Sequence, residues 1–95
     1  IVEHEKEIDL HIEELVKEIS GLSNAEMLEI QLHHFAKEMD NAIRNHIKKI
    51  IFIHGVGNGK LKNEIRPELR NYSGVAFKDA DNSKYGQGAT EVIFQ

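Results

Sequence analysis

Three short runs in this chain place ionisable side chains and glycines at the ends of apolar stretches. They are Ile8-Asp9-Leu10-His11, His54-Gly55-Val56-Gly57-Asn58-Gly59-Lys60-Leu61 and Tyr85-Gly86-Gln87-Gly88-Ala89-Thr90. Histidine titrates near neutral pH, so His11 and His54 could supply a base and an acid for phosphodiester cleavage, with Asp9 orienting or charging one of them. In RNA the 2′-hydroxyl is a built-in nucleophile, and such a set works without a metal. Water attack on DNA calls more strongly for a divalent cation held by oxygen ligands. Asp9 with Glu7 is a thin oxygen set, so no metal site and no resident cofactor is expected, although a divalent cation is compatible with the DNA reaction.

The second run supplies the surroundings such chemistry needs. Gly55, Gly57 and Gly59 allow close approach to backbone amides at a helix amino end, and Lys60 adds a positive charge, which together form a phosphate cradle. It is not a Walker A loop, because the four-residue gap between glycines and the Ser or Thr after Lys60 are missing. Nor does it fit the dinucleotide fingerprint, since Lys60 stands where the third glycine belongs. Beyond it, Lys62, Arg66 and Arg70 fall four residues apart on one helix stripe that could follow a phosphate backbone, with Lys84 and, in the third run, Gly86 and Gly88 beside the same site. Glu64 and Glu68 interleave with that stripe, so a merely solvated helix face is an equal reading. An Asp-Leu-His at a strand end is, alone, ordinary surface, and a glycine-rich turn is, alone, a turn. Tyr85 and Phe52 are candidates for stacking on a splayed base, Phe52 being the better core residue. His33, His34 and His46 belong to helix edges rather than to a ligand set.

These runs need a scaffold, and hydrophobic periodicity outlines one. Glu7 to Ile12 alternates polar and apolar, the period of a half-buried strand. A short helix or irregular turn follows over 12–19, ended by Ser20-Gly21. Ser23 with Glu26 makes a capping box, and Leu28, Leu32, Phe35, Met39 and Ala42 recur at helical spacing, which predicts a long amphipathic helix over 23–46. Ile50 to His54 reads as a core strand, and Leu61, Ile65 and Leu69 mark a second helix that Pro67 should kink or restart. Val75 to Ala80 and Thr90 to Gln95 read as two further strands, close enough in sequence to pair antiparallel. The order βαβαββ predicts an α/β two-layer sandwich: a four-stranded mixed sheet with both long helices on one face. Parallel first strands bring Asp9, His11 and His54 to one sheet edge.

With 95 residues, 40% hydrophobic and 29% charged, the chain is expected to form one globular domain, 1–95, and its start at Ile1 leads us to expect a piece of a longer protein. It holds no cysteine, which excludes disulfides and thiolate chemistry and fits a reducing, cytoplasmic setting. The longest uninterrupted apolar run, Ile50 to Ile53, is too short to cross a bilayer, so no membrane partner is expected. The net charge of −4 weighs against a polyanionic partner, but it is unevenly spread. Residues 1–40 carry 11 acids and 3 bases, whereas residues 41–95 carry 5 acids and 9 bases. A basic surface on the second part is therefore allowed, and the acidic first part leaves a protein-binding adaptor open.

Taken together and in order, the three runs resemble the motifs of the Smr (small MutS-related) domain. Ile8-Asp9-Leu10-His11 is similar to its LDLH opening, His54 to Leu61 to its HGxGxGxL centre, and Gly86-Gln87-Gly88-Ala89-Thr90 to its GxGAT close. The resemblance spans nearly the whole chain. It implies a fold related to the C-terminal domain of translation initiation factor three and a nucleic-acid role, as a nicking DNA endonuclease or an endoribonuclease. It matches the family's proposed active residues to Asp9, His11 and His54. The implied partners are RNA, or duplex or branched DNA, the ribosome in a docking role, and other domains of a parent chain. Two departures touch the cleft wall: Ile12 stands where the family usually has glycine, and the connection from Glu13 to Leu22 is long.

Overall fold

In the computed structural model, which describes residues 5–95, the elements run β1 (Glu5–Asp9), α1 (Ile12–Leu15), α2 (Asn24–Arg44), β2 (Lys49–Ile53), α3 (Lys60–Leu69), β3 (Val75–Asp79), α4 (Asn82–Tyr85) and β4 (Ala89–Phe94). The four strands form one mixed sheet in the order β1-β2-β4-β3. β1 and β2 are parallel, with Asp9 beside Ile53, and β4 runs antiparallel to both β2 and β3. This is the expected α/β two-layer sandwich with a four-stranded mixed sheet.

The core lies between the sheet and the two long helices. Phe35 and Met39 of α2 and Ile65 and Leu69 of α3 meet Ile50, Phe52 and Val92 of the sheet, all essentially without exposure. The rings of Phe35 and Phe52 meet edge to face at 4.9 Å, an arrangement aromatic quadrupoles favour. Phe52 is thus core and cannot stack on a base.

Several elements differ from the expectation, each for a local reason. The alternation Glu7 to Ile12 reads as one strand, but β1 ends at Asp9 because its Oδ1 accepts the His11 amide at 2.9 Å, a turn that takes the chain off the sheet. Ile12 then starts α1, whose helical part stops at Leu15. At the start of α2, Ser23 and Glu26 make the anticipated capping box. The far end falls two residues short of the expected 46. There Ile47 donates to the Ala42 carbonyl at 3.0 Å and His46 to Ile43 at 3.4 Å, with His46 at φ +56°, a Schellman ending. Pro67 does not restart α3 as a second helix; it sits inside one continuous helix, which closes at Leu69. β2 is buried on alternate residues only, because helices cover one sheet face, so Ile51 and Ile53 stay half-buried on the open one. Across that open face Lys49 bridges Glu5 and Glu91, and Glu91 also meets Lys78, so charges alternate in sign over all four strands.

Candidate active site

The parallel pairing of β1 with β2 brings the first two runs to the same sheet edge, and the end of each strand turns its histidine differently. At the end of β1 one carboxylate oxygen of Asp9 takes both the His11 amide, at 2.9 Å, and the His11 ring Nδ1, at 2.7 Å. A carboxylate oxygen accepts, so Nδ1 carries the proton and Nε2 faces outward from the pair. Both side chains remain open to solvent, His11 at 45% and Asp9 at 40%.

The His11 ring lies against Gly55. A Cβ on residue 55 would come 2.8 Å from His11 Nε2 and push that ring aside, and Gly55 has φ +80°, a conformation that favours glycine. The third run closes over the same point: the Gly88 carbonyl accepts both the His54 and Gly55 amides at 2.9 Å. A Cβ on Gly88 would sit 3.4 Å from the Gly55 Cα. Gly88 thus fixes the entry of the loop from above while His11 lines its side.

His54 occupies a different environment one residue away. It is 7% exposed, and both ring nitrogens are committed. Nδ1 lies 2.9 Å from the Gly55 carbonyl, which can only accept, so Nδ1 is the protonated nitrogen. Nε2 lies 2.9 Å from the Thr90 hydroxyl, which donates to it. The Thr90 oxygen in turn accepts from Arg66 Nη2 at 3.0 Å and Nε at 3.3 Å, and Arg66 Nη2 reaches Asp79 Oδ1 at 2.5 Å. Burial, with Lys62 and Arg66 nearby, holds the His54 pKa below the ordinary histidine value and outweighs the Gly55 carbonyl's opposite pull. Arg66 likewise holds the Asp79 carboxyl below its usual range.

The structure therefore joins Asp9 to His11 and seats His54 behind them, its ring bonded to Gly55 and Thr90 rather than to that pair. The basic residues are similarly divided. Arg66, expected on the phosphate stripe, is tied to Asp79 and Thr90, and Lys62 lies 3.7 Å from Asp79. Lys60 pairs with Glu64 at 3.4 Å on the exposed flank of α3, and Arg70 lies over the Phe77 ring at 5.6 Å. Lys84 reaches Glu7 at 3.9 Å and covers the Tyr85 ring, whose hydroxyl donates to Glu7. That contact ties the α4 turn to β1 across the open sheet face.

Gly59 caps α3, and the Asn58 side chain accepts the Lys60 amide at 2.9 Å. On the α2 side of this loop opens a cleft of about 310 Å³, walled by Gly57, Asn58, Lys60, Asn24, Met27 and Gln31. Thr90, Asn58 and Asp79 are site residues that sequence reasoning misses, and Glu7 enters it only as a thin oxygen partner of Asp9. Thr90 carried a signal, its place in the third run; the partners of Arg66 and Tyr85 are set by tertiary contact alone. Among the described residues no cluster of three His, Asp or Glu could hold a metal ion.

A four-stranded mixed sheet under two helices, with these three glycine and histidine runs at one edge, defines a class, and the family model for the Smr domain matches residues 21–95. The chain belongs to the Smr domain family. It is similar over 95% of its length to the crystal structure of the Smr domain of Thermus thermophilus MutS2, covering 98% of that chain, at 27% identity and a TM-score of 0.72. No curated protein matches the chain. Asp9 and His11 precede the segment matched by the family model, so their assignment rests on the geometry above. No helix among the described residues is long and apolar enough to cross a membrane.

Proposed function

We propose that this Smr domain is an endonuclease that cleaves or nicks phosphodiester bonds of nucleic acid by acid-base chemistry at the Asp9–His11 pair. The observation that carries the reading is the 2.7 Å contact between Asp9 and His11 Nδ1, which leaves Nε2 beside the glycine loop. A carboxylate that fixes the tautomer and orientation of an imidazole is the arrangement that makes its other nitrogen a directed base. A phosphate cradled by the Gly55 to Lys60 loop would present its neighbouring ribose 2′-hydroxyl to that nitrogen. The nitrogen takes the proton as the 2′-oxygen bonds to phosphorus and the P–O5′ bond breaks, the leaving 5′-oxygen taking its proton from water. RNA is preferred over duplex or branched DNA, since its own hydroxyl is the nucleophile and the reaction asks for no metal. His54 supports the cradle by holding the Gly55 carbonyl, while Lys60 supplies charge at its rim. The test compares the parent with an Asp9→Ala, His11→Ala double variant on structured RNA and branched DNA at equal folding: cleavage is lost in the variant, and parental rates in it would refute the assignment.

One observation favours a second reading, a docking module that holds nucleic acid or the ribosome without cutting. With His54 bonded at both nitrogens, the site offers one solvent-open histidine rather than an acid and a base. This module would show binding that falls steeply with salt and no product on a gel.

A further inference from the structure

The helical layer carries a second surface, which shares Leu28 with the cleft beside the glycine loop. Between α2 and α3 runs a groove of about 460 Å³ whose floor is Leu28, Leu32, Ala36 and Tyr72, with Phe35 beneath. Its rim is acidic: Glu29 from α2 and Glu64 and Glu68 from α3. Glu64 is answered by Lys60, but Glu29 and Glu68 make no ion pair among the described residues. On the other side of the ridge formed by Glu29 and His33, Leu22 and Ile30 line a second hollow with Glu26 at its edge. The Tyr72 phenol is shifted toward the protonated form by burial, with the negative charges of Glu68 and Asp40 adding to it.

We infer that this groove between α2 and α3 is a docking site for a basic amphipathic helix of a protein partner, its leucine-like side chains seated on Leu28 and Leu32 and its lysines or arginines facing Glu29 and Glu68. An apolar floor removes water from apolar side chains, which is the mode by which an amphipathic helix enters a groove. The rim selects the sign of the occupant. Nucleic acid is disfavoured because its phosphates would meet two unanswered carboxylates over an apolar floor. An acidic partner is disfavoured for the same reason. The groove lies on the helical layer, away from the open sheet face with its alternating charges, and meets the cleft beside the glycine loop at Leu28.

The experiment follows backbone and methyl NMR signals of the 95-residue chain during titration with a helical leucine-lysine peptide about 18 residues long and its leucine-glutamate counterpart. The lysine peptide should shift Leu28, Leu32 and Tyr72 saturably, and the glutamate peptide should not. A Glu29→Lys, Glu68→Lys variant, altered only at exposed positions, should unfold like the parent and bind the lysine peptide about tenfold more weakly. Equal binding of the two peptides, unchanged affinity in the variant, or shifts confined to the open sheet face would each overturn the proposal. So would sedimentation as a dimer with Leu28 and Leu32 in the interface, or a shift of Leu32 and Tyr72, which line the groove but not the glycine-loop cleft, by single-stranded RNA. Since none of these readouts involves cleavage, the result is independent of the proposed nuclease activity.

Discussion

His11 and His54 lie on either side of one glycine, and their surroundings give them opposite properties. His11 is held by a single carboxylate and keeps one nitrogen open toward solvent and the loop. His54 is enclosed, bonded at both nitrogens and biased toward its neutral form. The difference follows from strand position: β1 is an edge strand whose end opens into solvent, whereas β2 is central and delivers its last residues between β1 and the start of β4. One residue type therefore serves as a reagent at the edge and as a strut in the interior.

The sharpest way to break this contrast is to disarm the exposed side. Asp9→Asn keeps the size of the side chain but no longer fixes the His11 tautomer, and cleavage should fall by about 100-fold or more, with thermal unfolding nearly unchanged. Gly55→Ala attacks the contact between the two regions. The added Cβ displaces the His11 ring and strains a backbone at φ +80°, so stability should fall by about 1–3 kcal/mol in urea titration, with cleavage falling alongside.

On the interior side, Thr90→Val leaves His54 Nε2 and the Arg66 guanidinium without their shared hydroxyl. The expected loss is about 1–3 kcal/mol of stability, larger than that of a comparable change at the solvent-open His11. The pH dependence of stability is a smaller, more specific probe. Because the folded state lowers the His54 pKa, the unfolded chain binds its proton first as pH falls. The stabilisation is therefore full above the unfolded histidine value and declines between that value and the lower folded one. Urea midpoints at successive pH values should show this decline, and His54→Gln should flatten that part of the curve. The smallest effect belongs to the rim: Lys60→Gln should reduce the salt slope of RNA binding by about one counterion, with little change in cleavage at saturation.

The sequence made the scaffold legible where local and global signals agree. The Ser23 and Glu26 box starts α2 as written, and the spacing of Leu61, Ile65 and Leu69 gives the buried stripe of α3. It misled where a side chain competes with the backbone: Asp9 ends β1 by accepting the His11 amide, which an alternating pattern through Ile12 conceals. In the site, the pairing of Asp9 with His11 follows from a two-residue spacing, so it was readable. The seat of His54 was not, because it depends on Thr90 36 residues away and on Arg66, whose charge looked free on a helix stripe. Long-range partners convert a surface cation into an interior one without changing its spacing. The same holds for Tyr85, whose hydroxyl finds Glu7 across nearly the whole chain.

The central claim, that the exposed histidine reacts and the enclosed one supports, is tested most directly by cleavage of one structured RNA by His11→Ala and His54→Gln, each at matched folded fraction. The account predicts that His11→Ala loses about 100-fold or more in rate at saturating RNA, while His54→Gln keeps a measurable rate and loses mainly affinity. A His11→Ala protein that cuts at the parental rate, beside a folded His54→Gln protein that does not cut, would contradict it.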